Sequence, residues 1–244
     1  MSRSRSEKPA RVRVESGRFG KRLIVDETFA SLYREEAPGT SCVWDALSAP
    51  LLALPPRRRR RILVLGLGGG SVARILRALA PGAEIVGVEF DPEVVAAARA
   101  HFEIDALGLE LHVEDALVVL RREKRRFDLI VEDVFVGRGD AVHKPGWLPH
   151  PGLDLAARRL ARGGLLVSNT LDEAPAVSAA LGHRFPGLLS IEVEDYDNRV
   201  FVAGPATLDA RQLRSAVAAA PVLSEGLPLL RFRKVRRPAA LGNR

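Results

Sequence analysis

Four carboxylates stand at the ends of successive apolar runs, and a glycine cluster precedes them all. The stretch RILVLGLGGGSVARIL (61–76) carries Gly66, Gly68, Gly69 and Gly70 between a strand-like and a helix-like pattern. Glycines at such a turn let the backbone bend tightly and approach a ligand, with helix N–H groups aimed at it. About twenty residues on, VGVEFD carries Glu89 where a carboxylate can accept both hydroxyls of a ribose. The run LELHVEDA ends in Asp115 and Ala116, candidate contacts for an adenine amino group, although Asp115 equally reads as a helix N-cap. The run FDLIVED ends in Glu132 and Asp133. A carboxylate there would orient and deprotonate an incoming amine, as general base or electrostatic anchor. The alternative is a carboxylate that caps a loop N–H.

The turn departs from G-x-G-x-x-G, because position 71 is Ser71, and no lysine follows to hold a phosphate. A nucleoside without a diphosphate therefore fits better than a dinucleotide. The five histidines (101, 112, 143, 150 and 183) have no ligand spacing, and no metal is expected. His143 is a candidate base, but a lone loop histidine is more often a surface residue.

These residues need a scaffold that brings strand ends together. Residues 1–10 read as a basic tail, and RVRVESGRFGKRLIVDE as two β runs around a glycine turn, within a small unit at 11–36. TSCVWDALSAPLLAL predicts a helix capped by Thr40 or Ser41 and ended by Pro55 and Pro56. From residue 61, apolar strands alternate with helical patterns, Asp91 and Pro92 opening one helix and LDLAARRLARGG forming another. LLSIEVEDYDNRVFVAG predicts an antiparallel pair around Asp197 and Asn198, and LPLLRFRKV is strand-like. Such alternation means an α/β domain, here 37–244, with a mostly parallel sheet covered on both faces.

With 244 residues and 47% of them hydrophobic, the chain can bury one substantial core. Charges interrupt every apolar run, which argues against a membrane span, and the basic start has no apolar signal region behind it. With the single cysteine, Cys42, these features predict a soluble cytoplasmic protein. The net charge of +7 is concentrated in basic runs at 57–61, 121–126 and 231–237. They could serve nucleic acid or another polyanion. Aromatic residues are only 5% of the chain, too few for stacking platforms, so solvated arginine-rich faces are the favoured reading.

Taken together, ILVLGLGGG, VEFDPEVV, VEDALVVL, FDLIVED and GGLLVSN resemble the spermidine synthase family, the polyamine aminopropyltransferases. The likeness runs from RFGKRLIVDE to EDYDNRVFVAG. It implies the Rossmann-like sheet of class I S-adenosylmethionine methyltransferases, with seven strands and the last antiparallel pair at one edge. It also implies Glu89 on the ribose, Asp115 on the adenine, Asp133 at the catalytic strand end, and a homodimer. Two positions depart. The family carries an aspartate in its glycine turn, GGGDGG, where this chain has Gly69, and a second aspartate after the fourth strand, where this chain has Val136.

In that family the donor is decarboxylated S-adenosylmethionine, whose tail ends in an ammonium. An aspartate in the turn pairs with it, and removing one partner of a buried ion pair costs about 3–5 kcal/mol. With Gly69 the turn is expected to offer open amides that suit the carboxylate of intact S-adenosylmethionine. Val136 removes a charge that would help to hold a diamine. Glu132, Asp140 and Glu114 are the carboxylates that could compensate. The leading expectation is thus alkyl transfer from an S-adenosylmethionine-type sulfonium to a small nucleophile such as an amine, methyl transfer being slightly favoured. The alternatives are an aminopropyltransferase that uses the decarboxylated donor, and a nucleoside- or polyanion-binding protein without catalysis.

Overall fold

A computed structural model describes residues 10–235. Residues 1–9 of the tail expected at 1–10, and Arg236 and Arg237 of the third basic run, lie outside the described residues. Strands β1 (Val12–Gly17), β2 (Gly20–Val25) and β3 (Thr28–Tyr33) form an antiparallel sheet of three. The expected hairpin is thus extended by a third strand. Asp26 and Glu27 both take positive φ (47° and 66°) and turn the chain directly into β3. The sequence hides this turn because it uses no glycine or asparagine.

Helix α1 (Val43–Ser48) is shorter than predicted and continues as a 3₁₀ turn over Ala49–Ala53. Its N-cap is Cys42, not Thr40 or Ser41. Those two residues instead donate their backbone N–H groups to the Asp45 carboxylate, at 2.7 and 2.9 Å, so the cap reaches back from inside the helix.

The alternating region then runs β4 (Arg61–Leu65), α2 (Ser71–Leu79), β5 (Glu84–Glu89), α3 (Pro92–His101), β6 (Glu110–Val113) and α4 (Ala116–Arg122). It continues as β7 (Phe127–Glu132), α5 (Gly152–Arg158), β8 (Leu160–Thr170) and α6 (Ala174–Arg184). Strands β9 (Gly187–Val193) and β10 (Arg199–Gly204), helices α7 (Ala210–Ala218) and α8 (Pro221–Ser224), and β11 (Leu230–Lys234) complete it. The helix expected through residue 164 stops at Arg158, because Gly163 and Gly164 belong to β8. A Cβ on Gly164 would stand 2.9 Å from the Asp128 carbonyl oxygen. Gly164 lets strands approach, and neither glycine closes a helix.

The large sheet has the order β11-β9-β10-β8-β7-β4-β5-β6. Strands β4 to β8 are parallel, and β9, β10 and β11 are antiparallel. It has eight strands where seven were expected, since β11 adds to the edge through β9. Alternate residues of β7 face opposite layers: Leu129 and Val131 pack with α1, α2 and α7, Ile130 with α4, α5 and α6. The strand order reverses between β7 and β5 on either side of β4, the crevice where open α/β sheets bind ligands.

Candidate active site

The carboxyl ends of β4, β5 and β7 are laced together by backbone bonds. Gly66 N–H donates to Val88 O at 3.0 Å, and Asp133 N–H to Leu65 O at 2.8 Å. Gly66 has φ +80°, and a Cβ there would lie 2.4 Å from the Asp133 carbonyl oxygen. Only glycine lets the turn lie against the end of β7.

Glu89 leaves the end of β5 into this crevice. Its two oxygens accept from Gly68 N–H (2.8 Å) and Asp91 N–H (3.1 Å). Burial pushes its carboxyl above the ordinary range, and the amides oppose that shift. Each oxygen retains a lone pair, which suits two vicinal hydroxyls. Asp115 caps α4 through Oδ1, which accepts from Leu117 N–H (2.7 Å) and Val118 N–H (3.3 Å), with Ala116 buried behind it. Five large apolar residues are exposed among the described residues, and three of them, Phe90, Val113 and Val118, flank these two carboxylates. Phe90 follows β5, Val113 ends β6 and Val118 lies on α4, so their exposure belongs to the carboxyl-end surface. Their sequence positions carry no such signal, because only burial distinguishes them from core residues.

Ser31 and Trp44 from the amino-terminal part close the crevice. Gly69 N–H donates to Ser31 Oγ at 2.7 Å, and Ser71 Oγ bonds both Leu32 N–H and Leu32 O at 2.9 Å. A Cβ at residue 69 would stand 2.8 Å from Ser31 Cβ and 3.1 Å from Phe102 Cδ1. The expectation that Gly69 leaves open amides for a donor carboxylate is therefore not met. Gly70 N–H is also taken, by Leu67 O at 2.9 Å. Strand β3 sits on the turn and occupies the volume in which a side chain at 69 would lie.

Asp133 faces the α1 side of the sheet. Its Oδ1 accepts from Asn169 Nδ2 at 2.8 Å, and the Trp44 indole donates to the carboxyl from α1. Burial pushes its pKa up to about 7; the two donors and Lys144 oppose this, and Glu132 adds to it. A carboxyl poised near neutrality has the proton affinity that a general base needs.

Glu132 faces the opposite layer and is 1% exposed. It accepts from Lys144 Nζ at 2.6 Å, Val134 N–H at 2.8 Å and Ser168 Oγ at 2.5 Å. Lys144 N–H in turn donates to Glu173 at 2.7 Å. Expected beside Asp133 at the reacting centre, Glu132 instead anchors the root of the 134–149 loop. The tip of that loop meets the β2–β3 turn: Gly139 N–H donates to Asp26 O at 2.8 Å, and Arg138 pairs with Glu27 at 2.6 Å. Val136 pairs with His143 in an isolated bridge, and both side chains are exposed. Glu114 is held by Arg122. Trp44 and Asn169 carry weak sequence signals. The one usable sign is SNT (168–170), a buried polar run that ends an otherwise apolar strand.

A hollow of about 480 Å³ lies at the opposite, amino end of the sheet, lined by Arg60, Arg61, Glu84, Arg126 and Asp128. Within it, Arg61 pairs with Glu84 at 2.8 Å, and Asp128 accepts from the Arg60 and Arg61 amides. It holds no reactive constellation.

Residues 62–144 match the family model described as a methyltransferase domain. A polyamine aminopropyltransferase of Vibrio vulnificus is 33% identical over 114 residues, 45% of this chain and 37% of the relative. An eEF1A lysine and N-terminal methyltransferase homolog of Drosophila pseudoobscura pseudoobscura is 29% identical over 153 residues, 58% of this chain and 23% of the relative. The chain thus matches well under half the length of these curated relatives. The crystal structure of a probable spermidine synthase from Corynebacterium glutamicum superposes with a TM-score of 0.69 at 21% identity, over 91% of this chain and 87% of that one. The protein has the spermidine-synthase-like variant of the class I methyltransferase fold.

Proposed function

We propose that this protein transfers an alkyl group from an S-adenosylmethionine-type sulfonium donor to a small nucleophile with a single reactive amine, with Asp133 as the base. The observation that carries the reading is a half-buried carboxyl, its pKa raised to about 7, beside the switch-point crevice that also holds Glu89 and Asp115. Glu89 would hold the ribose hydroxyls, Asp115 and Ala116 the adenine edge, and the 66–70 turn the sulfonium side of the nucleoside. The donor supplies an activated carbon. The amine forms a bond to that carbon as the carbon–sulfur bond breaks, the thioether leaves neutral, and the amine proton passes to Asp133. Positioning and the carboxylate field are what the chain contributes.

Methyl transfer from the intact donor is the first reading. Position 69 has no room for the carboxylate that would select a bare ammonium tail, and Val136 leaves the acceptor side without a second acid. Aminopropyl transfer from the decarboxylated donor is the second reading, favoured by what the Vibrio and Corynebacterium relatives are called. Incubation with each donor and a panel of amines, read by mass spectrometry, separates them, because the product gains either a methyl or an aminopropyl group. Asp133→Asn is the control. An Asp133→Asn variant as active as wild type with every acceptor would overturn the base assignment. DNA binding that weakens steeply with salt and ignores Asp133, with no turnover of either donor, would favour a polyanion-binding protein.

A further inference from the structure

The hydrogen bonds around Asp133 extend past its immediate neighbours. Asn169, at the end of β8, donates from Nδ2 to Asp133 Oδ1 at 2.8 Å. Asn198, in the β9–β10 turn, donates from its own Nδ2 to Asn169 Oδ1 at 3.0 Å. A primary amide has one donor end and one acceptor end, and turning it over exchanges them with little change of shape. The Asp133 carboxylate, which only accepts, favours the orientation that aims the NH₂ at it, and Asn198 supports that orientation by donating to the Asn169 oxygen.

We propose that Asn169 and Asn198 are positioning residues that hold Asp133 in its charged, proton-accepting form, Asn169 by direct donation and Asn198 by supporting the end of the Asn169 amide that faces the carboxylate. The proposal rests on the reading of Asp133 as the base. A donor to the charged form favours that form, whereas an amide oxygen turned toward it would repel it. Burial already pushes the Asp133 carboxyl up to about 7 against these donors, so losing one moves it further from neutrality.

The other groups around Asp133 do not substitute for this effect. Glu132 on β7 and Lys144 in the loop act on it with opposite signs and are paired with each other at 2.6 Å. Helix α1 contributes Trp44, a neutral donor, and the β9–β10 turn contributes Asn198 between Asp197 and Arg199. The β8–β10 ladder runs through the backbone of Asn169, opposite Val200, so its side chain is not needed for pairing.

The test labels aspartate carboxyl carbons with ¹³C, assigns Asp133 by its loss in Asp133→Asn, and titrates that signal in wild type, Asn169→Leu and Asn198→Ala. The expected result is a midpoint raised by about one pH unit in Asn169→Leu and by a smaller, measurable amount in Asn198→Ala. The acid limb of the rate profile should move in parallel. Asn198 is only half-buried, so its variant keeps the test available if Asn169→Leu fails to fold. Midpoints unchanged in folded variants overturn the proposal. A midpoint that moves while the rate profile stays supports the amide relay and overturns the base reading instead.

Discussion

At residue 69 the missing side chain is a packing requirement. The φ angle there is ordinary, yet Ser31 and Phe102 fill the space a Cβ would need. Gly69→Asp should therefore destabilise the protein by about 1–3 kcal/mol, as overpacking does, and Ser31→Gly in the same chain should recover part of the loss. Denaturant midpoints of wild type, the single variant and the double variant check this; no recovery in the double variant sinks the steric account. Ser31→Ala tests the same contact from the other side. It leaves the Gly69 N–H buried without its partner, at a cost of about 1–3 kcal/mol. For Glu132, buried with Lys144, breaking the pair by Lys144→Met should cost about 3–5 kcal/mol, because an uncompensated carboxylate remains. The glycine cluster was legible in the sequence as a turn. What fills the space above Gly69 was not, since Ser31 lies 38 positions away.

The element that crosses the crevice is the 134–149 loop, and its two ends are held differently. Its root is tied by the buried Lys144–Glu132 pair, whereas its tip meets the β2–β3 turn through Arg138 and Glu27, whose side chains are 56% and 45% exposed. A pair this exposed contributes little to stability and is screened by salt. Glu27→Ala should accordingly speed amide exchange at residues 137–142 while leaving the denaturant midpoint close to that of wild type. Exchange measured by mass spectrometry decides it; unchanged exchange at the tip would mean that the Gly139–Asp26 backbone bond alone holds the contact. Loop length marks this segment in the sequence, and Lys144 is visible there among other charges. Its burial depends on Glu132 and Glu173, on separate elements.

For the whole molecule, stability should fall away on both sides of a pH optimum. Glu110 and Glu123 are lowered from 4.5 to about 2, chiefly by hydrogen bonds to Arg125. Their contribution is complete above the unfolded value and is lost as pH falls through about 2. Arg125→Leu should therefore flatten the acid limb. Asp133 has the opposite sign. Its folded pKa is raised from 3.8 to about 7, so the native state binds the extra proton and unfolding free energy drops as pH rises through that window. One pKa unit corresponds to about 1.4 kcal/mol. Asp133→Asn should match wild type near pH 4 and exceed it in melting temperature by a margin that grows up to pH 8. A margin independent of pH would refute the raised Asp133 pKa. No helix among the described residues is long and apolar enough to cross a membrane.

Local chemistry is what the sequence by itself determined. Period and punctuation predict the parallel strands, the glycine turn, and the caps at Asp91 and Asp115, because these depend on residues within a few positions of one another. The strand ends carrying Glu89, Asp115 and Asp133 follow from the same pattern, since parallel strands deliver their carboxyl ends to one side. Only the tertiary structure decided which neighbours those carboxylates meet. Asp133 reaches Trp44 and Asn169, and Glu132 turns to Lys144, because adjacent strand residues face opposite layers that are filled from distant parts of the chain. The pairing of the strand-like LPLLRFRKV run with β9 at the edge and the place of β3 over Gly69 are likewise long-range packing outcomes, which no local residue pattern specifies.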